Sequence, residues 1–442
     1  YNDRLWARGV VIDGRGGRIA LVALDLIGYF NNQVDIIRQM VGDDIDYLIV
    51  HSSHSHEGPD TLGIWGPDSV TSGVDPAYLD FVNDAVADCI IEASASMTQA
   101  RVKSSTIQSD GLSLGIRVDD DGFGVADQKV LDGDHLVAPE TNGRIVDPNL
   151  VVLQFTKRSG KDKAPIATIV NFGSHPEALW SSNTVLTSDF PHYVRERLEQ
   201  EYGGIAIWTS GALGVLQGPD RIDVSEDGFN PVVKRSFEFA RVHGEQLAER
   251  AIEALDNKNG HPAPDIAYSH QNPLPIRLDN PYFRFFFAIG VLGNGRTLFT
   301  DGQPDSSVGF PFPPPFDAIP QALGEDLQTE TGVARVGDAG LIVVPTEVDP
   351  QIAVQYREAF SSVKNTLVIG LANDEIGYQV QPEKFDNSCF VCAPFILAGV
   401  PAFCPVSPDC STVFQNNVGI EVDPVISDAV MQATQEVNES KR

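Results

Sequence analysis

Basic side chains are scarce in this chain. Its 442 residues include 31 lysines and arginines against 61 aspartates and glutamates, which gives a formal net charge of −30 at pH 7. Such an acidic chain repels the phosphates of nucleic acids and the headgroups of anionic lipids. We therefore expect no nucleic-acid partner, and we expect the charge to favour solubility.

Long apolar runs are missing as well. No stretch approaches the roughly 20 residues that a helix needs to cross a bilayer, so we expect no transmembrane segment. No signal peptide is visible, and residues 5–11 already have the pattern of a strand, so we expect an N-terminal segment to have been lost. A hydrophobic content of 42% with 21% charged residues is typical of a folded globular protein.

Cysteine is rare, with five residues in the chain. Cys89 lies on the apolar face of a predicted helix, where we expect an inert core thiol. The other four, Cys389, Cys392, Cys404 and Cys410, are spaced C-x2-C-x11-C-x5-C and permit either two disulfides or a structural zinc site. The last spacing is long for the second pair of a zinc ribbon. We therefore expect disulfides and, with them, a secreted or extracytoplasmic protein.

Histidine is scarce too, yet three of the nine histidines fall within six positions, at His51, His54 and His56. They end an apolar run typical of a buried strand and precede Gly58-Pro59, which bends the chain. If the segment stays extended, His54 and His56 share a face. The pattern indicates half of a metal site, and the alternative is a polar junction whose histidines cap backbone groups.

We expect a mixed α/β (α+β) fold, and later strands of the chain also end next to residues that can bind a metal. The strand over residues 165–171 runs into His175, the strand over residues 341–344 into Glu347, and the strand over residues 366–372 is followed by Tyr378. Two imidazoles and a carboxylate form a catalytic zinc set that leaves one position for water. A zinc ion so held lowers the pKa of water to about 7 and polarises a carbonyl, which suits hydrolysis of an amide or ester.

Three more residues receive expected roles. His56 would hold a developing oxyanion or carry the proton. Asp25 stands near a strand end among apolar neighbours, and Asp189 stands at the start of a predicted helix. Each is either a turn or helix cap, or a carboxylate that orients a ligand imidazole, and we expect the second role for both.

In their order along the chain, these motifs resemble the neutral (alkaline, non-lysosomal) ceramidase family. The family's His-Thr-His-Ser-Gly-Pro element is matched by His54-Ser55-His56-Glu57-Gly58-Pro59, and its second zinc-histidine element by Asn171-Phe172-Gly173-Ser174-His175-Pro176. Its Pro-Gly-Glu is matched by Pro345-Thr346-Glu347, and its Gly-Leu-Ala-Asn with a following tyrosine by Gly370-Leu371-Ala372-Asn373 and Tyr378. The resemblance covers roughly residues 5–385, and its weight lies in the ordered set of short motifs.

The resemblance implies that His54, His175, Glu347 and Tyr378 bind Zn²⁺ and that His56 contacts the substrate carbonyl. It implies a zinc-dependent hydrolase of a linear amide, with ceramide or another N-acyl, lipid-like small molecule as substrate. We expect stacked β-sheets flanked by helices, with the metal site at strand ends. Residues 1–385 would form the hydrolase domain, and residues 386–442 a cysteine-containing extension packed on it.

One family element departs from the pattern. The family's Gly-Asp-Val-Ser-Pro loop, which supplies a serine implicated in catalysis, is replaced by Gly214-Val215-Leu216-Gln217-Gly218-Pro219. The alternative is therefore a non-catalytic extracellular scaffold or assembly protein that keeps the fold and the metal. Either function is compatible with a homo-oligomer.

Overall fold

A computed structural model describes most of the chain. The described residues are 1–68, 70–114, 146–158, 164–214, 217–219, 222–226, 228–256, 261–262, 265–305, 308–309, 321–322, 324–382, 385, 390–392 and 416–440. Within them the helices are α1 (Asn31–Val41), α2 (Pro76–Ala95), α3 (Phe190–Tyr202), α4 (Phe237–Leu255), α5 (Pro281–Ala288), α6 (Pro350–Ala359) and α7 (Val422–Glu439).

The strands alternate with these helices along much of the chain. They are β1 (Ala7–Gly14), β2 (Gly17–Leu24), β3 (Tyr47–Ser52), β4 (Ala100–Gln108), β5 (Asn149–Lys157), β6 (Pro165–Phe172), β7 (Ile205–Ser210), β8 (His261–Pro262), β9 (Ile266–Arg277), β10 (Phe299–Thr300), β11 (Gln303–Pro304), β12 (Val308–Gly309), β13 (Gln321–Ala322), β14 (Asp326–Val336), β15 (Ala339–Val343), β16 (Glu347–Val348), β17 (Asn365–Ile369) and β18 (Tyr378–Gln379).

Three sheets carry the fold. The first has the order β1-β2-β3, the second β7-β6-β5-β4-β8, and the third β11-β10-β14-β15-β17 with β9 also paired to β14. Two hairpins are present, as the antiparallel pairs β1–β2 and β5–β6. Parallel pairing joins β2 to β3, β6 to β7 and β15 to β17, so β15 and β17, which lead to Glu347 and Tyr378, end at the same edge of their sheet.

The sheets are stacked on one shared apolar core. In β2, Ile19 and Leu21 face this core together with residues from β5, β6, β15 and β17, whereas Ala20 and Val22 face α1 and α2. This alternation is the two-residue period of a strand. The second sheet is covered on its outer face by α3 and α4, and the third by α6 and α7. The mixed α/β fold with stacked sheets and flanking helices is therefore confirmed.

Helix starts follow capping chemistry. Asp75 accepts the N–H of Ala77 at the start of α2, with Pro76 in its first turn, the arrangement that N-cap carboxylates and N1 prolines favour. Helix α4 begins at Phe237, because the Ser236 hydroxyl accepts the N–H of Phe239 at 3.1 Å and caps the helix there. Among the described helices, none has an apolar stretch long enough to cross a bilayer.

The ends of the parallel strands meet and are joined by hydrogen bonds. The Ser52 N–H donates to the Leu371 carbonyl (3.0 Å), and the Gly370 N–H donates to the Ser210 carbonyl (3.1 Å). The His51 imidazole lies between them, with Nδ1 2.7 Å from the Gly370 carbonyl and Nε2 accepting the Ser210 N–H at 3.0 Å. The loops that leave these strands therefore begin within one small region.

The cysteines are only partly described. Cys89 is half-buried on α2, and burial raises the pKa of its thiol. Cys392 is buried, while Cys389, Cys404 and Cys410 lie outside the described residues. The expected disulfides, and the domain boundary at residue 385, stay predictions. Beyond that boundary, α7 buries Ile426 and Val430 in the same apolar cluster as Ile342 of β15.

His243 on α4 is a buried histidine whose burial makes folding stability depend on pH. It is fully buried against Phe190 and Phe239, and neither ring nitrogen has a hydrogen-bond partner among the described residues. Burial lowers its pKa from 6.5 to about 3. The unfolded chain therefore gains a proton below pH 6.5 that the folded chain does not, so folding stability falls as the pH falls.

We predict that His243→Leu removes this loss. Between about pH 7.5 and 5, the free energy of unfolding of the variant should fall by about 2 kcal/mol less than that of the wild type. At about pH 7.5 the variant should be as stable or about 1 kcal/mol more stable, because two unsatisfied buried polar atoms are gone. Urea unfolding at both pH values measures the difference. Equal losses in the two proteins would contradict the neutral, buried state of His243.

Candidate metal centre

Three imidazoles converge beyond the strand ends. His54 and His56 lie in the loop after β3, and His175 lies in the loop after β6. One ring nitrogen of each lies within 4.8 Å of the others. The ring centroid of His54 is 4.8 Å from that of His56 and 5.1 Å from that of His175. His54 and His175 are buried and His56 is partly exposed, so the cluster forms one closed side and one open side.

Glu347 and Tyr378 complete the group. Glu347 Oε2 lies 2.9 Å from His175 Nε2, and its Oε1 lies 3.7 Å from His54 Nε2. Glu347 begins β16, which pairs with β18 in parallel so that Glu347 is directly opposite Tyr378. The Tyr378 phenol is hydrogen-bonded to the Glu347 carboxylate, which lowers the carboxyl pKa. The structure therefore brings together all five residues that were singled out at strand ends.

Backbone carbonyls fix the two buried imidazoles. His54 Nδ1 is 2.6 Å from the Ile27 carbonyl oxygen, and His175 Nδ1 is 2.8 Å from the Gln217 carbonyl oxygen. Because a carbonyl oxygen only accepts, Nδ1 carries the proton in both rings. Both Nε2 atoms are then left to face the cluster, which is the orientation that metal-binding histidines require.

The His54 backbone explains how neighbouring histidines meet. His54 has φ of 68°, so the segment from Ser53 to His56 is not extended as expected from the sequence. This left-handed conformation costs a β-carbon-bearing residue about 1–3 kcal/mol and concentrates at functional sites. Its consequence is that the His54 and His56 rings meet nearly perpendicular, at 88°, instead of lying side by side on one face.

Burial and neighbouring charge set the protonation of the cluster. Burial lowers the pKa of His54 to about 4 and that of His56 well below its usual range, and the other imidazoles add to both shifts. Burial would also lower the pKa of His175, but its hydrogen bond to Glu347 and the charges of Glu177 and Glu347 raise it to about 9. His175 and Glu347 therefore form an ion pair beside two neutral imidazoles.

The two aspartates have other roles than expected. Asp25 makes a two-pronged ion pair with Arg195, at 2.6 and 2.9 Å, and accepts the Trp6 N–H. Asp189 accepts the N–H groups of Leu179 and Phe190 and caps α3. Neither carboxylate bonds to a ligand imidazole, because backbone carbonyls already hold the Nδ1 atoms. The expectation that they orient imidazoles is corrected, although Asp189 does fix the chain shortly after His175.

Two carboxylates near the cluster were missed from the sequence. Glu177 Oε1 lies 3.9 Å from His56 Nε2 and 4.0 Å from His175 Nε2. Glu375 is buried, and burial together with the Glu347 charge raises its pKa well above the usual range. The position of Glu177 two residues after His175, and the run of acidic residues before Tyr378, were the available signals.

The donor set fits a tetrahedral metal ion. Zinc bonds of about 2.0–2.2 Å place neighbouring ligand atoms about 3.4 Å apart, and the Nε2–carboxylate distances of 2.9 and 3.7 Å lie on either side of that value. His56 Nε2 is buried and has no hydrogen-bond partner among the described residues, so it is an unsatisfied group aimed at the same space. The cluster can hold a divalent metal, and nitrogen with carboxylate oxygen is a set that zinc accepts.

Known structures share the fold. A crystal structure of neutral ceramidase from Pseudomonas aeruginosa matches at a TM-score of 0.68 and 15% identity, over 98% of this chain and 72% of the other. A ceramidase complexed with C2 matches at a TM-score of 0.66 and 14% identity, over 98% of this chain and 73% of the other. No family model and no curated protein sequence matches. The chain therefore has a neutral ceramidase-like fold, which confirms the resemblance seen in the motifs.

We predict that zinc binding releases about one proton per chain at about pH 6. His175, with a pKa of about 9, must lose its Nε2 proton to bind a metal, whereas His54, with a pKa of about 4, is already neutral. Metal binding competes with protons for the same lone pair. Calorimetric titration in buffers of different ionisation enthalpy counts the protons. Release of none would contradict the His175–Glu347 ion pair, and release of two would show that Tyr378 also loses its phenol proton.

Proposed function

We propose that this chain is a zinc-dependent hydrolase of linear amides, with ceramide or another N-acyl, lipid-like molecule as substrate. The observation that carries the proposal is the convergence of His54, His175 and Glu347 on one point with His56 beside it. The neutral ceramidase-like fold supports the substrate class. The disulfides expected among the four C-terminal cysteines support a secreted or extracytoplasmic location.

His54, His175, Glu347 and Tyr378 would hold the zinc ion. Their support is the geometry: Nε2 of each histidine faces a Glu347 oxygen, and Tyr378 is bonded to the same carboxylate. A zinc ion there would polarise the amide carbonyl and make water a stronger nucleophile. The backbone carbonyls of Ile27 and Gln217 would keep the two imidazoles in the ligand orientation throughout turnover.

His56 would act on the substrate. Its side chain is 34% exposed, against 7% for His54 and 2% for His175, so it lies on the open side of the cluster. Burial keeps the ring neutral, and a neutral imidazole with its proton on Nε2 donates a hydrogen bond to the oxyanion that forms as the carbonyl is attacked. An Nε2 atom that has no hydrogen-bond partner among the described residues is the group such a role needs.

The surroundings of His56 favour a neutral amide with an apolar part. The Trp65 ring centroid lies 6.1 Å from that of His56, and Trp65 and its neighbour Ile64 are exposed to solvent at 41% and 49%. The Glu177 carboxylate lies within 4.0 Å of His56 Nε2 and His175 Nε2. Its negative charge would repel an anionic headgroup. Both features support an N-acyl substrate over a phosphorylated one.

Two substitutions separate binding from chemistry. His175→Ala should lose both zinc and activity. His56→Ala should keep zinc and lower kcat by about 10²–10³-fold, the typical effect of removing one oxyanion donor. His270→Ala is the matched control, because His270 lies on β9 outside the cluster and contacts Glu330. Zinc content by elemental analysis and turnover of a panel of N-acyl amides, with and without a chelator, measure these effects.

The same panel of N-acyl amides distinguishes a hydrolase from a non-catalytic scaffold. A zinc-loaded wild type that hydrolyses no member of it would favour the non-catalytic scaffold. Activity that survives in His175→Ala would contradict the zinc mechanism. Loss of zinc in His56→Ala would show that the ion is held by three histidines and would move His56 from catalysis to binding.

A further inference from the structure

Gln217 makes several hydrogen bonds beside the cluster. Its side chain is fully buried and makes three hydrogen bonds. Oε1 accepts the Asp147 N–H at 2.8 Å, and Nε2 donates to the carbonyls of Asp147 at 3.1 Å and Gly173 at 2.5 Å. Both ends of its amide are therefore bonded to backbone of other segments.

The main chain of Gln217 in turn holds His175. One carbonyl oxygen accepts both the backbone N–H and the ring Nδ1–H of His175, each at 2.8 Å. No other described contact reaches the Nδ1 atom of this ring. The direction in which His175 Nε2 points therefore depends on where the Gln217 carbonyl lies.

The two ligand histidines differ in how their carbonyl is supported. The Ile27 carbonyl that holds His54 lies three residues after the end of β2, and the neighbouring Leu26 carbonyl accepts the His54 backbone N–H at 2.9 Å. The Gln217 carbonyl lies outside any strand: the Gln217 N–H donates to the Leu213 carbonyl at 3.1 Å, and the next residue, Gly218, forms an isolated bridge with Leu114. Packing here is close, since a β-carbon on Gly173 would lie 2.8 Å from Gln217 Nε2, and one on Gly214 would lie 2.6 Å from the Val348 carbonyl group. Gln217 thus packs against the His175 segment, and Gly214 packs against the Glu347–Val348 strand.

We propose that Gln217 is a positioning residue, whose side-chain amide locks the loop carbonyl that orients His175 toward the metal. The inference rests on the proposed function, because it assumes that His175 is a metal ligand. It assigns a use to the loop in which the family's catalytic serine is absent. Residues that orient metal-binding histidines typically change metal affinity by about 10–100-fold when altered.

The test compares two buried glutamines. Gln217→Ala removes the side-chain amide and all three of its hydrogen bonds. Gln217→Glu keeps the size and the acceptor but loses both donated bonds. Gln154→Ala is the matched control, because Gln154 is equally buried on β5 and donates to Thr168 at 2.9 Å. Zinc affinity by competition with a chromophoric chelator, the unfolding midpoint, and exchange of the His175 Nδ1 proton in ¹⁵N-histidine-labelled protein are measured for each.

The proposal expects all three variants to unfold at lower temperature. Only the two Gln217 variants should bind zinc about 10–100-fold more weakly and exchange the His175 Nδ1 proton faster. Wild-type zinc affinity and slow exchange in the Gln217 variants would overturn it, as would an equal loss of affinity in Gln154→Ala. If wild-type protein binds no zinc, the proposed function fails, and proton exchange in the metal-free proteins still decides whether Gln217 orients His175.

Discussion

The hydrogen-bonded junction between the ends of β3, β7 and β17 is the constraint on which the rest depends. His51 bridges Gly370 and Ser210, and burial lowers its pKa to about 4, so the ring is neutral and can accept at Nε2. Asn373 repeats the linkage, since its side chain accepts the Val50 N–H at 2.7 Å and donates to the Leu48 carbonyl at 2.8 Å. Unpaired strand ends would leave buried polar groups unsatisfied, and this junction removes that cost while bringing three sheets together.

The site lies beyond that junction. His54 follows β3 itself, His175 follows β6, which pairs in parallel with β7, and Glu347 follows β15, which pairs in parallel with β17, so each ligand lies within a few residues of the junction or of a neighbouring strand end. The cluster is closed on the side of His54, His175 and Glu347 and open at His56, where Glu177 and Trp65 lie. Burial strengthens every electrostatic interaction inside such a site. The Glu347 charge raises the pKa of both buried imidazoles, but burial still lowers that of His54, whereas at His175 the hydrogen bond to Glu347 and the charges of Glu177 and Glu347 outweigh burial.

The sequence predicted the parts whose causes are local. Apolar runs that stop at a histidine or a glutamate located His54, His175 and Glu347 at strand ends, and stacked sheets with flanking helices were expected alongside the resemblance of the motifs to the neutral ceramidase family. It could not predict contacts set by distant segments. The orientation of the His54 ring depends on the Ile27 carbonyl, 27 positions away, and the true partner of Asp25 is Arg195, 170 positions away. Glu177 reaches His56 only because the β3 and β6 loops lie side by side.

The central claim is that segments from three sheets enclose one metal ion. Anomalous diffraction at the zinc edge, from crystals of protein grown with equimolar zinc, tests it most directly. The account predicts a single strong peak about 2.0–2.2 Å from Nε2 of His54, Nε2 of His175 and a Glu347 oxygen. No peak at that point, or a peak held only by the C-terminal cysteines, would contradict it.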